Sequence, residues 1–67
     1  MDFNKPFIIT CRQAQELANK LKQHKCYQIS AEVELMICEA LEGGKQTVLL
    51  DKTYLKSAYD NYIIHGK

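Results

Sequence analysis

Gly43 and Gly44 divide the chain into two parts with different apolar patterns. Before the pair, apolar residues recur at intervals of three and four, which is the spacing of an amphipathic helix. Shortly after it, residues 46–50 form the run Gln-Thr-Val-Leu-Leu, which favours a strand. The change of period at one glycine pair predicts an α+β chain.

The first helix is predicted over residues 11–24. Thr10 has the character of a helix N-cap, and Gln13 completes a capping box three residues later. A short apolar run, residues 6–9, precedes this cap and is typical of an edge strand that begins with proline. One apolar stripe is expected to bury four side chains: Ala14, Leu17, Ala18 and Leu21.

A second helix is predicted to begin at Ser30 as its cap and to end at Gly43, in the left-handed conformation that often closes helices. Its main apolar stripe comprises Val33, Met36, Ile37, Ala40 and Leu41. The helix carries four glutamates and no cation, whereas the first helix is basic. The two are therefore expected to form an antiparallel hairpin with complementary flanks.

The last third of the chain predicts a short third helix over residues 52–59, capped by Asp51. Tyr54, Leu55 and Ala58 are expected to be buried, and residues 62–64 to form a final strand after a turn at residues 60–61. A parallel strand–helix–strand unit is possible here, although its register stays open. The expected fold is a single α+β domain, residues 1–67, with the helical hairpin packed on a small two- or three-stranded sheet.

Composition favours an intracellular, cytoplasmic protein. No apolar run approaches the ~20 residues that span a bilayer, and the opening residues lack the pattern of a signal peptide. Three cysteines without a Cys-x-x-Cys pair are a poor disulfide framework. The net charge of +1 is divided unevenly: residues 1–29 carry five cations against two acids, residues 30–44 four acids alone, and residues 45–67 four cations against two acids.

The second helix has a further apolar face, roughly opposite its main stripe, formed by Ala31, Leu35 and Cys38. A helix that is apolar on two faces is covered either by a second layer of its own chain or by a partner subunit. Both interpretations remain open, and the second predicts a homo-oligomer whose interface contains these three residues.

Motifs for catalysis and cofactor binding are weak. His24, Cys26, Cys38 and His65 offer zinc-binding atoms, but no pair has the spacing of a zinc site. Gly43-Gly44-Lys45 follows a helix instead of preceding one, unlike a phosphate-binding loop. Nothing marks an activated cysteine. We therefore expect no metal, no cofactor and no enzymatic activity.

Nucleic-acid or anion binding is the alternative that the charges suggest. The candidate residues lie on or just beyond the first helix: Arg12, Lys20, Lys22 and Lys25. Four tyrosines could stack on bases. However, the cations point to different sides of the helix, and the neighbouring acidic helix would repel phosphates.

One pattern of elements runs through residues 10–64. It consists of a helix rich in Ala and Leu, a helix ending in Ile-x-x-Ala-x-x-x-Gly-Lys, a β-type run, a helix and a closing aromatic-aliphatic segment. The residues that carry it are Ile37, Ala40, Gly44, Lys45, Val48, Leu50, Leu55 and Tyr62-Ile63-Ile64. This pattern resembles small phage-encoded proteins of a recurring type, with Asn61 in place of their usual glycine.

This resemblance implies a phage or prophage origin and an accessory role. The leading hypothesis is a non-enzymatic binding protein that blocks a host protein or sequesters a small-molecule ligand through a homo-oligomeric surface. A nucleic-acid-binding regulator that uses the first helix is the alternative, and a structural or assembly component of a virion is a third possibility.

Overall fold

The computed structural model describes residues 7–65. Two strands and three α-helices are followed by one π-helical segment, which confirms the α+β class and the short third helix. In chain order the elements are β1 (Phe7–Thr10), α1 (Cys11–Gln23), α2 (Tyr27–Glu42), β2 (Thr47–Leu50), α3 (Thr53–Tyr59) and the π-helical segment (Asp60–Ile64).

The sheet of the described residues contains two antiparallel strands, with Ile9 opposite Val48 and Ile8 opposite Leu49. The predicted early strand is confirmed from Phe7 onward, while Pro6 lies outside the described residues. The possible parallel strand–helix–strand unit is wrong, because β2 pairs with β1 and not with a later strand.

The final strand predicted at residues 62–64 is also wrong. The backbone at Asp60 keeps helical angles (φ −59°, ψ −46°), so the chain continues from α3 without turning. The N–H of His65 then donates to the carbonyl of Asp60 at 2.9 Å, the five-residue spacing of a π-helix. Tyr62 and Ile63 consequently pack against the core from a helix.

Helix α1 begins as predicted. The hydroxyl of Thr10 accepts from the N–H of Gln13 at 3.0 Å, and the side-chain oxygen of Gln13 accepts from the N–H of Thr10 at 3.0 Å. All four residues of its predicted stripe are buried. Since α1 contacts every other element, this stripe lies at the centre of the core.

Helix α2 begins four residues earlier than predicted. Lys25 adopts a left-handed conformation (φ 64°), which reverses the chain within a short connection and lets Cys26 occupy the cap position. Ser30 is therefore inside the helix and fully buried, not its cap. Its hydroxyl donates to the carbonyl of Ala18 at 2.9 Å and so joins α2 to α1.

The predicted stripe of α2 is only partly correct. Val33 and Ile37 are buried, whereas Leu41 is 57% exposed because it lies toward the outer side of the helix. Complementary flanks are present at one point, where Lys22 of α1 forms an exposed ion pair with Glu34. Such a surface pair is worth ~0–1 kcal/mol, so burial of the apolar stripes contributes more to holding the helices together.

The glycine pair ends α2, but Gly44 and not Gly43 is the left-handed residue (φ 73° against −83°). The N–H of Lys45 donates to the carbonyl of Ala40 at 2.8 Å, and that of Gly44 to Leu41 at 3.0 Å. These are the two hydrogen bonds of a Schellman motif, which requires its left-handed residue one position after the cap.

Helix α3 has Lys52 at its cap position, so the prediction of Asp51 was wrong; the cap has no side-chain hydrogen bond. Leu55 and Ala58 are buried as expected, but Tyr54 is 44% exposed. Tyr59 takes the buried position instead. Its ring meets that of Phe7 edge-on, with centroids 5.2 Å apart.

Candidate protein-binding surfaces

An open groove of ≈ 490 Å³ separates α2 from the outer face of the sheet. Met36 and Ala40 form the apolar wall on the helix, and the cross-strand pair Ile8 and Leu49 forms the apolar part on the sheet. Ile8 is 61% exposed and Leu49 is 43% exposed. These side chains remain uncovered because the inner face of the sheet, which carries Ile9, Val48 and Leu50, faces the core.

The edge of β2 also borders this groove, since Thr47, Val48 and Leu49 all line it. The N–H of Cys11 donates to the carbonyl of Gln46 at 2.9 Å, which fixes the hydrogen-bonding pairs of the antiparallel ladder. By the alternation of such ladders, Thr47 and Leu49 direct their main-chain groups away from β1. Within residues 7–65 the sheet has two strands, so this edge has no strand partner.

A second apolar surface is the outer face of α2. Ala31, Leu35 and Cys38 are all exposed there, and Leu35 retains 60% of its accessible area. None of the segments within residues 7–65 packs over them, so the strands of the chain do not form the covering layer that was one interpretation of this face. The structure therefore places the three predicted interface residues on one open surface.

The predicted basic residues do not form one patch. Lys20 and Lys22 lie about 200° apart around α1 at 100° per residue, and Lys22 is engaged with Glu34. Glu16 lies between Arg12 and Lys20 on the same side of the helix. Lys25 belongs to the connection between the helices.

The connection between α1 and α2 contacts the π-helical segment. The rings of His24 and Tyr62 lie with centroids 4.6 Å apart. The pKa of Tyr62 is raised, and the largest cause is the negative charge that the nearby Cys26 thiol can carry. Partial burial of Tyr62 and hydrogen bonding with Cys26 raise this pKa further. This arrangement buries part of the tyrosine ring and joins the π-helical segment to the helical hairpin.

The four residues considered for zinc are not brought together. Cys38 lies on the outer face of α2, while His65 is near Asp60, with 3.6 Å between ring nitrogen and carboxylate oxygen. Across residues 7–65 there is no group of three or more histidine, cysteine or acidic side chains that could hold a metal ion.

Tyr54 forms the other polar link on the surface. Its hydroxyl donates to the carboxylate of Glu32, with distances of 2.6 Å and 2.8 Å to the two oxygens. This hydrogen bond is the largest cause of a raised pKa for Tyr54, followed by burial and by the charges of Glu32 and Asp51. The link connects α3 to α2.

The groove was not predicted from the sequence. The signal was present in the period of two: Leu49 alternates with Val48 and Leu50, and Ile8 alternates with its neighbour Ile9. Because both strands are apolar at consecutive positions, this alternation is hidden within the run. The approach of α2 to the sheet could not be seen from the pattern of either element.

Comparisons with models of known protein families, with characterised proteins and with solved structures gave no match. The resemblance to phage-encoded proteins therefore stays a prediction. Among residues 7–65, no helix has the length and apolar character required to cross a bilayer.

Proposed function

We propose that this protein is a non-enzymatic binding protein that holds an extended segment of another protein in the groove between α2 and the sheet. The observation that carries the proposal is the exposure of Ile8 and Leu49 beside Met36, along an edge of β2 that no strand covers. Apolar side chains and a free strand edge in one place are the two features that strand addition uses.

Each feature supplies a different part of binding. The outward main-chain groups of Thr47 and Leu49 would hydrogen-bond to the segment and give affinity that does not depend on its sequence. Alternate side chains of the segment would pack on Ile8 and Met36 and give selectivity. Glu39 and Lys45 border the groove with opposite charges, which favours a segment carrying both charge types.

The identity of the target follows from the resemblance rather than from the groove. If the chain has a phage origin, the bound segment belongs to a host protein, whose own contacts would be blocked. A small apolar ligand is the competing occupant, because ≈ 490 Å³ falls within the usual volume of ligand pockets. The open shape and the strand edge favour the extended segment.

A peptide-display selection against immobilised protein tests the proposal directly. We expect enrichment of peptides with alternating apolar residues, whose binding shifts the amide NMR signals of residues 47–50. Leu49→Lys should weaken binding at least about tenfold, since it places a charge at the apolar contact. Ile64→Lys is the matched control, because Ile64 is 58% exposed and does not line the groove.

Two results would contradict the proposal: no enriched peptide, or peptides whose affinity is unchanged by Leu49→Lys. Native mass spectrometry of protein purified from the expression host tests for the competing occupant, a small ligand. A small extra mass that is lost in Leu49→Lys would assign the groove to a small ligand instead.

A further inference from the structure

We propose that a second copy of this chain covers the outer face of α2, with the two α2 helices antiparallel and Leu35 at the two-fold axis between them. The contact uses a different surface from the groove, so it does not depend on the proposed peptide binding. The exposure of Ala31, Leu35 and Cys38 does not define how two copies would pack, whereas the proposal specifies the direction of the two helices and the residue at the axis.

The spacing on this face is that of a helix–helix seam. Five residues of this face follow one another at intervals of three and four: Gln28, Ala31, Leu35, Cys38 and Glu42. All five are exposed, and Leu35 is 60% exposed. This is the a/d spacing of a coiled coil, in which side chains of one helix fit between those of the other. The small residues on either side of Leu35 allow close approach, so the two leucines can pack against each other.

The position of Leu35 makes the seam self-complementary. Helix α2 spans Tyr27–Glu42, and Leu35 lies near its midpoint. In an antiparallel pair centred there, residues equidistant from Leu35 face one another across the axis. Gln28 then meets Glu42 of the second copy, which pairs a hydrogen-bond donor with a carboxylate at each end of the seam.

Charge decides between antiparallel and parallel packing. The C-terminal half of α2 carries Glu39 and Glu42 without a cation, so a parallel pair would bring these carboxylates together. The N-terminal end instead has Lys25 before it and no side-chain cap hydrogen bond. An antiparallel pair separates the two sets of carboxylates and places Glu42 of one copy near Lys25 of the other, at the positive end of the helix dipole.

The remaining acidic residues do not oppose the contact. Glu34 pairs with Lys22, and Glu32 accepts from Tyr54, so both are engaged within their own chain. A shallow cavity of ≈ 320 Å³ lined by residues 25–29 lies at the N-terminal end of α2. It offers space for the side chain of Glu42 of the second copy.

Charge reversal provides the decisive experiment. Lys25→Glu and Glu42→Lys should each raise the dissociation constant of the dimer about tenfold or more, because each brings like charges together twice. An equimolar mixture of the two variants should regain wild-type affinity, since every contact in the mixed dimer again joins opposite charges. Sedimentation equilibrium over a range of concentrations measures all three, and circular dichroism verifies folding.

Glu16→Lys is the matched control, because it makes the same charge change on the exposed side of α1 and should leave the dissociation constant unchanged. A wild-type protein that stays monomeric at millimolar concentration overturns the proposal. So does a mixture of variants that associates no better than either variant alone. Because all these variants leave the groove intact, failure here is distinct from failure of peptide binding.

Cross-linking tests the register independently. With Cys38→Ser present, Leu35→Cys should form an intermolecular disulfide under mild oxidation, since position 35 faces itself across the axis. In the wild-type sequence, Cys38 should not cross-link to Cys38 of the second copy, because the two lie on opposite sides of the axis. Efficient Cys38 cross-linking would contradict the antiparallel arrangement.

Leu35→Lys should lower the oligomer mass without loss of helix content.

Discussion

Ser30 illustrates how much a single side chain can determine in a domain of this size. Within residues 7–65 it is the one polar residue that is fully buried, and its hydroxyl has a partner in the carbonyl of Ala18. A buried hydroxyl without such a partner would cost about 1–3 kcal/mol. The hydrogen bond therefore favours one alignment of α2 on α1, which apolar packing alone would specify less strictly.

The hydrogen bond between Tyr54 and Glu32 should be visible in the titration of the tyrosine. We expect Glu32→Gln to lower the pKa of Tyr54 toward its ordinary value of 10.0, because the carboxylate accepts the hydroxyl proton and repels the phenolate. NMR titration of the Tyr54 ring measures this directly. Glu39→Gln, an exposed position on the same helix, is the control and should leave the titration unchanged.

The same hydrogen bond predicts the sign of a pH effect on stability. Because the pKa of Tyr54 is higher in the folded chain, the bond contributes fully to stability below pH 10.0 and loses its contribution as pH rises through the folded value. Chemical denaturation of wild type and Glu32→Gln across this range should therefore converge at high pH. A difference that grows with pH would contradict the assignment.

At the scale of elements, local sequence signals succeeded where the side chain itself makes the structure. Thr10 and Gln13 cap α1 as predicted, since the capping box is built from those two side chains. Ser30 and Asp51 were wrong as caps because Cys26 and Lys52 occupy the cap positions, neither with a side-chain cap hydrogen bond that the sequence could signal. The final strand failed because the backbone keeps helical angles at Asp60, so residues 62–64 continue the helix and Tyr62 lies beside His24.

The two glycines that end α2 should respond oppositely to alanine. Gly44→Ala should destabilise the protein by about 1 kcal/mol or more, because φ is 73° there and alanine is strained in that region. Gly43→Ala should be neutral or stabilising by up to about 1 kcal/mol, since φ is −83° and a Cβ would meet its neighbours at 3.6 Å, an ordinary contact. Urea denaturation of both variants measures the difference, and equal effects would rule out the Schellman geometry.

Considered as a whole, the molecule buries the apolar stripe of α1 at its centre and leaves two apolar surfaces open, the groove and the outer face of α2. The predicted interface residues on α2 could be found from helical periodicity, since all three lie on one face. The groove could not, because it arises between Ile8 and Leu49 of the sheet and Met36 of the helix, which meet only in the folded chain. Sites formed between elements depend on packing angles that periodicity does not encode.

The charge distribution of the whole molecule predicts weak binding to nucleic acids. The cations of α1 are divided between opposite sides of that helix, and α2 is acidic, so few phosphates can be neutralised at once. Fluorescence anisotropy with a labelled duplex should show affinity that depends on salt with a log–log slope of about −2 or shallower. A slope near −4 would show that the cations act together and would favour the nucleic-acid-binding alternative.

The π-helical segment lets the last described helix absorb the loss of one residue. A π-helical turn contains one residue more than the corresponding α-helical turn, so removing the exposed Asn61 would let α3 continue with regular geometry. Because the shorter turn still covers about one full rotation, the side chains beyond it would keep roughly their directions around the helix axis. Removing a residue from the regular turns of α3 would instead rotate Tyr62 by about 100°, away from His24.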